Sequence, residues 1–354
     1  MANEFIDLAI RHAPVLWQKV SKLNPDGDCI TRVDLGGSLD NILDNWHLVN
    51  KKLFPLAAEA YYSVVETFTH YFILYAFYHP QDWYDGETVI DIIRSNFDEH
   101  LHDMEGALAV VTKKDKKPEE ERVDAFITVS HYHFYCYANW KRTEEVFEFP
   151  EDDPWQKRIH GFKESLDGNI WFTFDKLKGK KTRRFNLYAQ AKGHGIRGDR
   201  KKWGGEKHVI RYFPSADIAE VPRSLRRGYV PGHDGYKYQD VRYRLIDFFE
   251  DGGLWSRKDD TNVFQANAKG QDAFVKREKE EKKKGKKKGK KQAKREKVVA
   301  GSANPPWGWD DTDDRHKCGE LAINPAGIVH DYLKGMREFS LEYMHNPYLN
   351  ISRF

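Results

Sequence analysis

Residues 61–80 read YYSVVETFTHYFILYAFYHP, and this stretch decides the fold class. Tyr, Phe, Val, Ile and Thr crowd it, and their side chains pack well on a pleated sheet but lose rotamer freedom in a helix. Its length suits two adjacent strands or one long central strand. Pro80 cannot donate to a ladder, so pairing is expected to stop there and the chain to turn toward Asp82.

Downstream, "GALAVVTKKDKKPEEERVDAFITVSHYHFYCYA" reads as a strand, a charged hairpin tip and a second strand. "NIWFTFDK", "RRFNLYAQAKGHGI", "KHVIRYFP" and "VRYRLIDFF" add four more. In the second of these the period of two puts Phe185, Leu187 and Ala189 on one face, with Asn186, Tyr188 and Gln190 on the other. Helical pattern is confined to the ends. "NEFIDLAIRHAPVLWQKV" begins like a helix, and "NPAGIVHDYLKGMREFSLEYM" spaces Ile328, Tyr332, Leu333, Met336 and Phe339 helically. The expected class is mainly β (α+β), a central β-sandwich with peripheral helices.

Composition supports a packed core, since 40% of the 354 residues are hydrophobic and 14% aromatic. No run of about 18 apolar residues is present, so no helical membrane span is expected. Glu4, Asp7 and Arg11 interrupt the N-terminal stretch where a signal peptide has a clean apolar block. The expectation is a chain without a signal peptide, cytoplasmic by default, with non-classical export left open. Cys29, Cys136 and Cys318 are too scattered for a disulfide framework or a zinc knuckle. Reduced, structural thiols are expected, and one Cys29–Cys136 bridge stays open.

The formal charge of +3 conceals an asymmetry, because residues 276–297 carry 14 Lys and Arg against 4 Glu. This Lys-rich insertion (271–297) cannot bury apolar surface and is expected to be disordered. It separates a body of 1–270 from a C-terminal segment, 298–354, short enough to dock on that body. Lys283, Lys284, Lys287 and Lys288 are its candidates for contact with nucleic acid or another anionic surface, against the alternative of a solubilising loop.

The chemistry concentrates in "SNFDEHLHDMEGALAVV". With a strand starting near Asp103, Asp103 and Glu105 share one face and Met104 takes the other. His100 precedes them and Asp82 ends the preceding strand. Three carboxylates and an imidazole meeting at one sheet edge suit a hard divalent cation, Ca²⁺, Mg²⁺ or Mn²⁺. A solvated acidic loop is the competing reading. "AKGHGIRG" adds His194, unobstructed between Gly193 and Gly195, as a further ligand or an ordinary turn residue.

Other motifs offer less. "PPWGWDDTDD" is read as a Trp-anchored connector whose aspartates cap a turn, with Ca²⁺ as the alternative, and His131 and His133 are read as core-edge histidines. Neither a phosphate-cradling glycine loop nor a Gly-x-Ser-x-Gly elbow is found.

"YAFYHPQDW", "HLHDMEG" and "KGHG", in that order, resemble the necrosis- and ethylene-inducing-peptide-like (necrosis-inducing protein) family over about residues 10–200. The second half of the chain looks more like larger relatives of vacuolar-sorting type. The resemblance implies a β-sandwich with flanking helices and a divalent cation held by Asp82, His100, Asp103 and Glu105. It places His194 in the pocket and makes His102 a neighbour that orients the ligands. It also implies recognition of a glycan or lipid headgroup, with membrane perturbation as the effect. Leu101 and Met104 stand where the family has Arg and Trp, and Glu99 where it has Gly, so cation binding carries over better than toxicity. Two further readings stand beside this one: a metal-dependent hydrolase of phosphoesters or glycosides using His102 or His194 as base, and an intracellular sorting or scaffold protein.

Overall fold

A computed structural model describes residues 5–21, 25–34, 56–82, 100–113, 121–139, 166–177, 180–200, 208–223, 239–259, 274–276, 297–299, 304–312, 314–333 and 335–352. Lys283, Lys284, Lys287 and Lys288 lie outside the described residues, as does nearly all of the Lys-rich insertion.

The N-terminal helix α1 (Ile6–His12) is short because Pro14 follows it. The residue before a proline is driven to extended backbone, and Ala13 has φ −63° and ψ 141°. "VLWQK" therefore becomes strand β1 (Val15–Lys19) rather than further helix.

The deciding stretch forms a hairpin, β2 (Glu59–Thr67) and β3 (His70–Asp82). β4 (His100–Thr112) returns antiparallel to β3, and the pairing does not stop at Pro80 as expected but resumes with Gln81 opposite Leu101 and Asp82 opposite His100. Next come β5 (Arg122–Ser130), β6 (His133–Ala138), β7 (Leu166–Asn169), β8 (Phe172–Leu177), β9 (Lys180–Ala189), β10 (Ile196–Arg197), β11 (Val209–Ser215) and β12 (Gln239–Asp247). β13 (Phe274–Lys276) and β14 (Lys297–Val299) pair with each other at the two ends of the Lys-rich segment. Two helical segments, α2 (Glu320–Ile323) and α3 (Pro325–Tyr332), and strand β15 (Tyr343–His345) complete the chain.

The protein is mainly β, as the composition of residues 61–80 implies. Its layers come from one curled, mixed sheet of thirteen strands, with the path β10-β9-β1-β11-β12-β2-β3-β4-β5-β6-β7. β15 adds to β2, and β8 adds to β9. The curl brings β10, at one end of the path, against β4 and β5. Inside the curl, Tyr75, Phe77, Ala107, Phe126, Phe185, Leu187, Ala189 and Tyr212 form the first core with α1 residues Ala9 and Ile10. The outer face of β2–β6 carries a second core, in which Tyr78, Met104, Leu108 and Phe134 meet Trp307, Trp309, Ile328 and Tyr332.

The C-terminal helix is shorter than its apolar spacing suggests. It stops at Tyr332, Leu333 leaves helical geometry at φ −114° and ψ 52°, and Gly335 takes φ 94°. Phe339 instead packs edge-on against Phe72, with ring centroids 5.9 Å apart. Tertiary packing has claimed an apolar residue that the periodicity assigned to the helix.

"PPWGWDDTDD" acts as an anchor. The Trp309 indole N–H donates to the Met104 carbonyl at 2.8 Å, and Asp311 Oδ2 accepts the Phe134 amide at 2.9 Å. Asp314 accepts from the Tyr332 hydroxyl and from the His316 amide. Gly106 is the seat for Trp309, since a Cβ there would overlap both the indole and the Tyr75 carbonyl. Cys29 and Cys136 are buried free thiols, one in each core and so on different faces of the sheet.

Candidate metal centre

The β3–β4 register determines which side chains can meet. His79 pairs with Asp103, Phe77 with Glu105 and Asp82 with His100. Directly opposed residues project from the same face, so His79 and Asp103 are set side by side. The curl then brings in the turn after β9. In that turn Lys192 and His194 both adopt left-handed backbone, with φ 75° and 51°. His131, itself at φ 58° in the β5–β6 turn, lies across Gly193 and Gly195; a Cβ at Gly193 would collide with its ring, and one at Gly195 would collide with Ser130 Oγ.

His194 is wholly buried and bridges two carboxylates. Its Nδ1 lies 2.9 Å from Asp103 Oδ2 and its Nε2 lies 3.2 Å from Asp28 Oδ1. The His79 ring stacks on it, with centroids 3.7 Å apart and an interplanar angle of 1°. One ligand atom from each of His79, Asp103 and His194 lies within 4.8 Å of the others, which makes these three the potential metal-holding set among the described residues.

Hydrogen bonding assigns the tautomer of His79. The Gln18 amide nitrogen donates to the Lys19 and Gln190 carbonyls, each at 2.9 Å, so Gln18 Oε1 is an acceptor. His79 Nε2 sits 3.0 Å from that oxygen and must carry the proton. Nδ1 then presents a lone pair, and this buried atom has no hydrogen-bond partner among the described residues. Burial, reinforced by the charge of His194, holds the His79 pKa well below the ordinary imidazole value. A neutral, oriented imidazole with an unshared lone pair is the form that ligates metals.

The neighbouring charges are set the other way. Burial alone would lower the pKa of His194, but hydrogen bonds to Asp103 and Asp28, with their charges, raise it to about 8. Burial, and then the Asp103 charge, push Glu105 well above the usual carboxylate range, although the His131 amide bonds its Oε1 at 2.8 Å. Glu105 Oε2 is buried and lacks a hydrogen-bond partner among the described residues. The pocket thus needs positive charge between Asp103 and Asp28, and a proton on His194 supplies it.

Of the residues singled out from sequence, Asp103 and His194 lie in direct contact. Asp82 is buried, and its Oδ1 comes within 3.7 Å of where a Cβ on Gly193 would sit. Glu105 shares the Asp103 face and reaches the His131 turn. His100 pairs opposite Asp82 along the backbone, and its side chain lies outside the described residues. His102 bonds elsewhere, its Nδ1 lying 2.7 Å from the Tyr78 hydroxyl, and it takes φ 65° within β4. His79 and Asp28 were missed. His79 sits inside the quoted "YAFYHPQDW", where opposing that stretch to "HLHDMEG" as a hairpin would have paired it with Asp103. Asp28 has no such signal.

No family model matches the chain, and no curated protein matches it. Among solved structures it bears a distant resemblance to necrosis- and ethylene-inducing-peptide-like proteins. A structure described as "Crystal structure of non-toxic HaNLP3 protein" aligns at 14% identity and TM-score 0.22, over 51% of this chain and 73% of that one. "NLPPya in complex with glucosamine" aligns at 15% identity and TM-score 0.20, over 51% of this chain and 66% of that one. "Toxin fold for microbial attack and plant defense" aligns at 14% identity and TM-score 0.18, over 36% of this chain and 51% of that one. The chain therefore spans about half to three quarters of the chains it matches.

Proposed function

We propose that this protein binds a divalent cation through His79, Asp103 and His194, the ion taking the place of the proton that His194 Nδ1 otherwise holds toward Asp103, and that the cation serves recognition of a polar, hydroxyl-rich ligand. The supporting observation is the buried lone pair of His79 Nδ1, on a ring that stacks against His194. Leaving such an acceptor unsatisfied in the core costs roughly 1–3 kcal/mol, a penalty that metal ligation would remove. Two imidazoles and a carboxylate are a borderline donor set, so Mn²⁺ is preferred over the harder Ca²⁺ and Mg²⁺. Asp82 and Glu105 lie toward the same end of the β3–β4 ladder and would add oxygen donors.

The ligand class follows from the sequence resemblance carried by "YAFYHPQDW", "HLHDMEG" and "KGHG": a glycan or lipid headgroup whose hydroxyls complete the coordination. The bound cation would supply Lewis acidity toward those hydroxyls. The residues of the chain hold the ion and exclude water around it.

The test is a thermal melt with Mn²⁺, Ca²⁺ or Mg²⁺, followed by glucosamine titration with and without Mn²⁺. The expected result is a Mn²⁺-dependent rise in melting temperature and metal-dependent sugar binding. An unchanged melt at millimolar Mn²⁺ removes the cation reading, and sugar binding insensitive to chelator removes the link between the two.

A further inference from the structure

The β8–β9 ribbon carries a second feature, remote from the cation cluster. Among the described residues β8 joins the sheet only through β9 and has no strand on its other edge. The pairs Phe172–Phe185, Phe174–Arg183 and Lys176–Lys181 place Phe172, Phe174, Lys181, Arg183 and Phe185 on one face. At the base of the ribbon Phe185 belongs to the core and Phe172 packs against it. Beyond that point the core ends and the aromatic pattern continues into solvent. Phe174 is 58% exposed and Trp171, just before β8, is 54% exposed, the two most exposed large apolar side chains described.

Cations are interleaved with these rings. The Arg183 guanidinium lies 3.7 Å from the Phe172 centroid, and the Lys181 ammonium lies 4.1 Å from that of Phe174. Both cations are exposed, as is Arg122 at the start of β5. Arg122 is near enough for its charge to add to burial in lowering the pKa of Arg183. Two acids near it among the described residues are already engaged. Asp175, on the opposite face, is buried between Arg184 and Arg242, at 3.1 Å and 2.9 Å. Glu121 pairs with Arg11 at 3.2 Å. Among the described residues the outward face is therefore aromatic and positive.

Charged side chains commonly guard an open edge strand against unwanted pairing. That accounts for Lys181 but not for the exposed Phe174 beside it. Rings that immerse at a polar–apolar boundary, with cations reaching anionic headgroups, suit a bilayer interface. Single-stranded nucleic acid needs open ring faces for stacking, and here Lys181 and Arg183 cover one face each of Phe174 and Phe172.

We propose that the β8–β9 ribbon docks on an anionic phospholipid bilayer, with Phe174 entering the interface and Lys181 and Arg183 pairing with lipid phosphate and carboxylate groups. This surface is independent of the cation centre. It occupies the start of β9, whereas His194 follows its far end, and the six steps along the strand from Arg183 to Ala189 span roughly 20 Å.

The experiment is co-sedimentation of the full chain with phosphatidylcholine vesicles, with or without 30% phosphatidylserine. Three variants are compared: Phe174→Ser, the pair Lys181→Glu and Arg183→Glu, and a chain lacking residues 276–297. Wild type should bind only the phosphatidylserine vesicles, and less at 0.5 M NaCl. Reversing the two ribbon charges should weaken binding at least about tenfold, and Phe174→Ser should weaken it severalfold, each with an unchanged melting temperature. Removing the Lys-rich segment should leave a ribbon-dependent component. The proposal is overturned if wild type ignores anionic vesicles, or if all binding disappears with residues 276–297 while the ribbon variants bind normally. Displacement of the effect to a single-stranded oligonucleotide, bound through the ribbon in preference to vesicles, would overturn it equally.

Discussion

The imidazoles of His79 and His194 lie parallel, 3.7 Å apart, although 115 positions separate them in the chain. Two protonated rings could not occupy this arrangement, because like charges at that distance in a buried site repel strongly. Their environments divide the protonation accordingly. His194 is held positive between Asp103 and Asp28, and His79 is held neutral by burial and by His194.

If His79 Nδ1 is a ligand, His79→Ala should abolish the Mn²⁺-induced rise in melting temperature. Asp103→Asn should reduce it sharply. Scanning fluorimetry over a Mn²⁺ series measures both, and a normal metal response in His79→Ala would exclude this atom as a donor.

Asp28 acts at one remove. Its Oδ1 accepts from the Lys192 amide and faces His194 Nε2, and its Oδ2 accepts the Ser21 amide, both amide bonds at 2.6 Å. Asp28→Asn should weaken Mn²⁺ binding by about 10- to 100-fold, because the carboxylate that orients and polarises His194 becomes neutral. Isothermal titration gives the affinity, and the Mn²⁺ electron paramagnetic resonance signal reports the changed ligand field. A merely structural Asp28 would alter stability and leave that signal as it was.

Gly106→Ala tests the seat of Trp309. The added methyl meets the indole and the Tyr75 carbonyl, an overpacking that costs about 1–3 kcal/mol or more. Urea unfolding should show a lower midpoint with an unchanged slope.

His70 should make stability fall in mild acid. Burial first, and then the Lys113 charge, lower its pKa to about 4 in the folded protein. In the unfolded chain it returns to about 6.5. Between these values the unfolded state binds the extra proton, so this contribution is fully present above about pH 6.5 and is lost as pH falls toward 4. The full shift corresponds to roughly 3 kcal/mol. Urea midpoints measured from pH 7 to pH 4.5 should decline, and His70→Gln should flatten the decline.

Much of the β character could be read from local pattern. In β9, Phe185, Leu187 and Ala189 all join the inner core, as their spacing of two requires, and Tyr188 packs on the other side with Trp17 and Phe213. The same period placed Asp103 and Glu105 together and sent Met104 into the outer core. Periodicity misled at the C-terminus, where the helix stops at Tyr332 and Phe339 packs on the sheet. It was silent about Asp28, whose bond to His194 spans 166 positions.

Alternating side chains and β-branched and aromatic residues were enough to specify strands, their faces and a crowd of acids and histidines at the start of β4, because these properties depend on neighbours two positions away. Which histidines reach Asp103 was decided by the hairpin register that opposes His79 to it and by the curl that carries the His194 turn across the sheet. Register and curl arise from the packing of strands distant in the chain, so only the folded arrangement converts that crowd into a site.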